Sequence, residues 1–244
     1  SITAVVAGAS IAGLVAALLI AGGYQDGPYP FPRRTFEWAR VARLFRHRET
    51  MLATGGYLGH MWELYAVWAW IPVFLAASFA ASGMPGAAAA LTSFFVIAIG
   101  GVGSAAAGVA ADRYGRTTVT ILSMAVSGAC CLIIGLFFGG PPILVGGIDL
   151  VWGLVIVADS AQFSAALTEL AEPDYVGTAL TLQTCLGFLL TMGSIRLVPL
   201  ARSLVGWQWA FALLAPGPAL GIIAMYRLRR SPMAVRIGGE RGRS

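Results

Sequence analysis

Long apolar runs separated by short polar stretches make up most of the chain. A membrane-spanning helix needs about 20 mostly apolar residues, and seven runs are of this order. They comprise residues 2–22, 51–80, 87–111, 118–138, 142–168, 175–200 and 205–226. None shows the alternation of apolar and polar positions that is typical of a β-strand. The pattern therefore predicts an all-α membrane protein, a bundle of about seven transmembrane helices.

Small residues recur at helical spacing inside several of these runs. Gly55 and Gly59 are four residues apart, as are Gly100, Ser104 and Gly108. Residues four apart lie on the same face of a helix, and small side chains on that face allow two helix backbones to approach closely. We expect close helix–helix contacts at both places.

The composition narrows the class of protein further. Hydrophobic residues make up 58% of the chain and charged residues 11%, with a mean hydropathy of +0.79, whereas soluble domains carry about 25% charged residues. The net charge of +5 comes from arginines that flank the apolar runs instead of forming one face, which argues against nucleic-acid binding. The three cysteines lie inside apolar runs without metal-ligand spacing, so neither a metal nor a cofactor is predicted.

The arginines also predict the orientation of the helices. If the seven runs alternate in direction, fourteen of the sixteen arginines fall on one side of the membrane, and only Arg196 and Arg202 lie near the other. Basic residues concentrate in cytoplasmic loops. We therefore expect the arginine-rich side, with the turn at residues 112–117, to be cytoplasmic. We expect the membrane to be the inner membrane of a bacterium.

The polar segments define four regions. Residues 1–23 form one transmembrane helix, 24–50 a basic cytoplasmic linker, 51–226 a six-helix unit and 227–244 a basic cytoplasmic tail. The linker is either an amphipathic helix on the membrane surface, because aromatic residues interleave with its arginines, or a simple solvated connection. Because the first residue is Ser1, already in an apolar run, we expect the chain to be a fragment of a longer protein.

A charged turn interrupts the apolar sequence between the third and fourth runs. The segment GVAADRYGRTTV places Gly108, Asp112, Arg113, Gly115 and Arg116 in the pattern G-x-x-x-D-R-x-G-R. This motif, in this position, resembles the one found in the major facilitator superfamily between helices eight and nine. The family often has a further basic residue next, where this chain has Thr117. The stretches GHMWELYAVWAWIPVFL, VWGLVIVADSAQFSAALTEL and GTALTLQTCLGFLLT also resemble uncharacterised bacterial members labelled nitrate/nitrite-transporter-like.

The resemblance implies a fold and a role for the motif. The chain would be helices six to twelve of a twelve-helix transporter, and its partner would be the N-terminal half of the same protein. Gly108 would allow close packing, and Gly115 would allow a tight turn. Asp112, Arg113 and Arg116 would form a latch that breaks as the halves rock, the alternative being an ordinary cytoplasmic turn.

Six polar residues within the apolar runs are candidates for binding a solute or a proton, because a lone charge inside a bilayer is costly. His60 and Glu63 are three residues apart on one helix face and predict a proton-binding pair. The alternatives are a structural ion pair, or a Glu63 that meets an arginine across the interface. Asp159 shares a face with Gln162 and is expected to be deeper than Asp149, which we place near the wetted outer surface. Arg196 is expected to reach the outer interface, or otherwise to face the cavity, bind an anion or pair with Asp149.

These residues favour a secondary transporter that moves a small solute by alternating access, with proton coupling through Glu63 or Asp159. A non-transporting seven-helix receptor or sensor is the alternative. An enzyme is not expected, because HExxH and GxSxG motifs are absent from the sequence.

Overall fold

The computed structural model describes residues 2–25 and 47–238, and over these ranges every regular element is a helix. The predicted linker helix lies outside the described residues. The α-helices are α1 (Ile2–Gly23), α2 (Arg48–Ala81), α3 (Gly86–Tyr114), α4 (Arg116–Ile133), α5 (Pro142–Ile156), α6 (Ser160–Leu170), α7 (Val176–Val205), α8 (Trp207–Ala210) and α9 (Pro216–Arg229). Short 3₁₀ segments follow at Ile134–Phe137, Pro173–Tyr175, Ala212–Leu214 and Pro232–Arg236.

Seven stretches of the described chain are long and apolar enough to cross a membrane. They are Thr3–Gly23, Arg48–Ala81, Gly86–Tyr114, Arg116–Phe137, Pro142–Leu170, Pro173–Val205 and Trp207–Arg229. Their bounds follow the predicted runs to within a few residues, and helices satisfy their own backbone hydrogen bonds in lipid. The prediction of an all-α, multi-pass integral membrane protein is confirmed.

The chain divides into two units, of which the first contains α1 and the second contains α2 to α9. Within the second unit, α2 packs mainly on α7 and α9, while α5 packs mainly on α3 and also on α4. The helices α4 and α9 pack on each other. Each of the first three spans of this unit corresponds to one of the last three, in the same order. When corresponding spans are interchanged, the list of pairs of spans that pack on each other is unchanged. The packing therefore has the arrangement of two three-helix repeats.

The fifth span is interrupted near its middle. Helix α5 ends at Ile156, a turn occupies residues 157–159, and α6 begins at Ser160. The sequence here, VIVADS, places three β-branched residues before Asp159 and Ser160. β-branched residues are weak helix formers, and Asp and Ser favour the start of a helix, so both features favour a break at this point. The break places Asp159 inside the bundle, outside regular helix.

Glycines mark close helix contacts between the two repeats. A Cβ on Gly59 would lie 2.5 Å from the carbonyl oxygen of Gly217, which holds α2 against α9. A Cβ on Gly103 would collide with the carbonyl oxygen of Leu154, which holds α3 against α5. By contrast, no described atom lies within 4 Å of a Cβ at Gly108. The expected close packing at Gly108 is therefore not found among the described residues, and the glycines of α3 that contact α5 are Gly100 and Gly103.

Replacing Gly103 by valine is expected to destabilise the protein, whereas the same change at Gly101 is not. The valine at position 103 would push α3 away from α5, and overpacking of this kind typically costs about 1–3 kcal/mol. A Cβ on Gly101, two residues away, meets nothing within 4 Å. Thermal unfolding in detergent should show a lower melting temperature for Gly103→Val alone. Equal melting temperatures in the two variants would contradict the α3–α5 contact.

Candidate functional site

A buried histidine–aspartate pair lies at the break in the fifth span. The Nδ1 atom of His60, on α2, is 2.9 Å from Oδ1 of Asp159, and both side chains are 2% exposed. The rings of Phe163 and Tyr57 lie 5.6 Å and 6.3 Å from the His60 ring, measured between centroids. The pair therefore joins the second and fifth spans in a largely aromatic environment.

This pair leaves hydrogen-bonding capacity unused. Within the described part of the chain, Nε2 of His60 has no hydrogen-bond partner, and the short contact to Asp159 does not have the alignment of a hydrogen bond. Most buried polar atoms in proteins are hydrogen-bonded, so an exception calls for an explanation. A proton, a water molecule or a polar group of a solute could satisfy these atoms.

The expected pairing of His60 with Glu63 is wrong. Both residues face the interior of the bundle, as their spacing of three predicts, but each meets a different helix. His60 contacts Asp159 at the break, whereas Glu63 contacts α4 and α5. Two side chains on one helix face lie near each other, but the neighbouring helix at each position determines which residue each one contacts.

Glu63 is held by three donors, which together with it form what we call the Glu63 cluster. Its Oε1 atom accepts hydrogen bonds from Nε1 of Trp152 at 2.7 Å, from Sγ of Cys131 at 3.2 Å, and from the hydroxyl of Ser127. Trp152 Nε1 also donates to Ser127 Oγ at 3.0 Å. All four side chains are buried. The cluster ties α2, α4 and α5 together through hydrogen bonds to one carboxyl oxygen.

Replacing Glu63 by alanine is expected to lower stability more than replacing it by glutamine. Alanine leaves the buried donors of Ser127 and Cys131 without their Glu63 acceptor and leaves Trp152 with only the Ser127 hydroxyl. An unsatisfied buried group costs about 1–3 kcal/mol. A glutamine side chain still offers an acceptor oxygen at this place. The measurement is thermal unfolding in detergent, with Leu91→Ala, at a residue 58% exposed on α3, as the control. Similar melting temperatures for both Glu63 variants would show that the acceptor is unimportant.

The charged turn places Arg116 at the start of α4, where it faces the end of α6. Gly115, between α3 and α4, has a φ of 92°, a conformation that glycine adopts without strain. The guanidinium of Arg116 contacts Glu169 through Nη2 and Nε at 2.9–3.2 Å, and its Nη1 donates to Oε1 of Gln162 at 2.8 Å. We call Arg116, Gln162 and Glu169 the arginine cluster.

Over residues 47–238, the other charged residues of the motif have no such partner. Asp112 and Arg113 are both exposed, and the guanidinium of Arg113 lies 5.4 Å from the ring centroid of Tyr114. Among the described residues, neither of the two makes an ion pair. The expected contact of Asp112 with a neighbouring helix or arginine is therefore not found in these ranges, and one arginine of the motif makes the ion pair.

Asp149 does not occupy the predicted place, and the alternative pairing of Arg196 with Asp149 is not found among the described residues. Asp149 is completely buried in α5, and within the described chain neither of its carboxylate oxygens has a hydrogen-bond partner. The expectation of a wetted position near the outer surface is wrong, because α5 turns this face towards the interior. Arg196 is exposed on α7 and does not pair with Asp149.

Helix α6 connects the His60–Asp159 pair with the arginine cluster. The backbone N–H of Gln162 donates to the carbonyl oxygen of Asp159 at 2.9 Å, while the Gln162 side chain, 3% exposed, accepts from Arg116. Gln162, in the first turn of α6, therefore lies between Asp159 and the arginine cluster. Over the described ranges, no group of three or more His, Cys, Asp or Glu residues is placed to hold a metal ion.

Comparison with known proteins gives one kind of match. No family model matches the chain. The "Solute carrier family 2, facilitated glucose transporter member 12" of Homo sapiens is 30% identical over 136 residues, which are 55% of this chain and 22% of the relative. The protein of the same name from Macaca fascicularis matches to the same extent. The match thus covers only 22% of the length of each relative. It supports a transporter of the major facilitator type and no finer label.

Sequence reasoning missed several members of these clusters. Glu169 was not singled out, although an acidic residue at the end of the fifth run lies on the same side as the charged turn and was a readable signal. Ser127, Cys131 and Trp152 gave no such signal, because small and aromatic residues are common throughout the apolar runs. Ile237 and Gly238 lie in the segment predicted as a basic cytoplasmic tail, for which the sequence suggested no contacts.

Proposed function

We propose that this chain is the C-terminal half of a secondary transporter of the major facilitator type, which moves a small solute by alternating access. The observation that carries the proposal is the buried His60–Asp159 pair at the break in the fifth span. Discontinuous helices in transporters place irregular backbone and polar side chains near the bilayer midplane, where solutes and coupling ions bind.

The neighbour pattern of the helices supports the mechanism. Secondary transporters of this architecture are built from three-helix repeats, and rocking of such repeats exposes one site to either side in turn. The chain packs in two sets of three spans with equivalent neighbours. The similarity to a protein named as a facilitated glucose transporter favours a small polar solute, of which glucose is the first to test. The nitrate/nitrite-like label has no support of this kind, so nitrate is a lower priority.

We propose that the His60–Asp159 pair couples transport to protons, and that Gln162 and Asp149 serve as further contacts for a proton or the solute. Asp149 qualifies because an ionised carboxylate without partners is costly to bury. Glu63, whose Oε1 atom accepts three hydrogen bonds, is assigned to holding the helices together. Arg196, exposed on the long α7, is assigned to the outer interface, where arginine side chains reach water.

The arginine cluster serves as the latch of the proposed transporter. Arg116 closes one end of the bundle by joining α4 to α6, and the exposed Asp112 and Arg113 provide a surface for the N-terminal half. In this arrangement residues 1–23 end that half, 24–50 cross the cytoplasmic face, 51–226 form the six-helix half and 227–244 return to the cytoplasm. The membrane is then the bacterial inner membrane, oriented with the arginine-rich side inside.

Solute flux tests the proposal directly. The complete gene product is reconstituted into lipid vesicles, and uptake of radiolabelled D-glucose and a panel of small polar solutes is measured with and without an inward proton gradient. We expect saturable uptake of at least one solute, faster with the gradient. Absence of flux for the whole panel in correctly folded protein would favour the receptor or sensor alternative.

A further inference from the structure

The segment that follows the last span folds back onto the bundle. Residues Pro232–Arg236 form a 3₁₀ helix, which has three residues per turn and so presents every third residue on one face. The buried residues of this segment follow that spacing: Ser231, Ala234 and Ile237. Ile237 is completely buried in an apolar cluster that includes Leu170 and Leu228. The intervening Val235 is 57% exposed.

This segment ends against the arginine cluster. The backbone N–H of Gly238 donates to Oε2 of Glu169 at 2.8 Å. The space around Gly238 is filled by the ion pair, because a Cβ there would lie 3.1 Å from both Nη2 of Arg116 and Oε1 of Glu169. The Glu169 carboxylate is thus held on one side by Arg116 and on the other by the returning chain.

Glu169 needs such support because it is not buried. The side chains of Arg116 and Glu169 are 18% and 27% exposed. Ion pairs between long, solvated side chains contribute little, since fixing both side chains in one geometry costs conformational entropy. The N–H of Gly238, held in place by the buried Ile237, restricts the conformations of the Glu169 side chain before Arg116 contacts it. The ion pair then forms between two oriented groups.

We propose that the segment Pro232–Gly238 positions Glu169 for Arg116, so that docking of this segment controls the strength of the latch. The inference rests on the proposed latch role of the arginine cluster and adds a third element to it. Ile237 is the anchor and the Gly238 N–H is the contact. Release of the segment would leave Arg116 and Glu169 joined only as an exposed pair, and α4 and α6 would separate more often.

The labelling rate of one introduced cysteine measures how often α4 separates from α6. Thr120 is completely buried one helical turn after Arg116, and cysteine is close to threonine in size. The exposed Cys185 is replaced by serine, and Cys130 and Cys131 are buried. In the complete gene product in lipid vesicles, the labelling rate of Thr120→Cys by a polar maleimide then measures opening. Circular dichroism and the melting temperature identify variants that fail to fold.

Two changes in the segment are compared with a matched control. Ile237→Ala removes the anchor, and Gly238→Pro removes the N–H donor because proline lacks it. Gly238→Ala keeps the N–H but also places a Cβ against the ion pair, so it controls for the steric effect of proline and is expected to accelerate labelling less. Loss of one hydrogen bond to a charged group corresponds to roughly a tenfold change or more in an equilibrium, so we expect labelling at least about tenfold faster for Gly238→Pro. Ile237→Ala is expected to act in the same direction. Val235→Ala, on the exposed face of the same segment, is expected to leave the rate unchanged.

A double-mutant cycle separates positioning from general loosening. In a Glu169→Ala background, Gly238→Pro is expected to have no further effect, because its target carboxylate is gone. Equal acceleration by Gly238→Pro with and without Glu169 would overturn the proposal. If Arg116→Ala accelerates labelling and the segment variants do not, the segment has no role and the latch stands. If Arg116→Ala also has no effect, the latch itself is wrong.

Discussion

Asp159→Asn is expected to abolish proton-driven accumulation of the transported solute while leaving downhill flux measurable. Asparagine has nearly the shape of aspartate but cannot take up and release a proton, so the solute would bind and cross without coupling. The change also removes the charge that faces His60 at 2.9 Å. The measurement is uptake into vesicles by the complete gene product, with and without a proton gradient, over a range of pH.

The control for this experiment is Glu172→Gln, which neutralises an exposed carboxylate after the end of α6. That variant is expected to accumulate solute at a rate within about twofold of the unmodified protein, since exposed charges contribute little. Gradient-driven accumulation at the normal level in Asp159→Asn, with the normal pH dependence, would remove the His60–Asp159 pair from the coupling mechanism.

Arg116→Ala is expected to reduce the transport rate by at least about tenfold, because two sets of charge-assisted contacts, each worth about 1.5–3 kcal/mol, are lost together. The guanidinium contacts Glu169 and also Gln162, so its loss frees α6 from α4 at the arginine-rich end. Arg116→Lys is expected to restore only part of the rate, since an ammonium group cannot make both contacts in the same planar geometry. Initial uptake rates under saturating solute give the comparison.

The neighbouring arginine supplies the control. Arg113→Ala removes the same charge from the same turn, but the Arg113 side chain is exposed and lies against the Tyr114 ring. It is expected to slow transport much less than Arg116→Ala. Equal losses in the two variants would indicate that net charge in the turn matters, and that the contacts of Arg116 with α6 do not.

The membrane fold could be predicted from the sequence because it depends on a simple property, the length of apolar segments. In lipid a long apolar segment has few alternatives to a helix, since no water is available for free backbone groups. The seven spans therefore followed directly from the runs. The break between Ile156 and Ser160 was not predicted, because VIVADS weakens a helix without requiring that it stop.

The partners of the buried polar residues could not be predicted for a different reason. Periodicity gives the face of a helix, and it placed His60 and Glu63 correctly towards the interior. Which helix meets each residue depends on how neighbouring helices cross, and glycines such as Gly59 and Gly103 control those crossings at single positions. A change of one turn between α2 and the fifth span would have given Glu63 a different partner from Trp152. Asp149 was misplaced for the same reason.

Access of water to the break in the fifth span tests the central claim most directly. Ser160 adjoins Asp159 and is partly buried, so Ser160→Cys, with Cys185 replaced by serine, places a thiol beside the proposed site. A charged, membrane-impermeant thiol reagent is applied to the complete gene product in vesicles, from one side and then from the other. The account predicts labelling from both sides, with one side suppressed when a transported solute is bound. A thiol that reacts from neither side, or only with lipid-soluble reagents, would show that the pair does not line a passage.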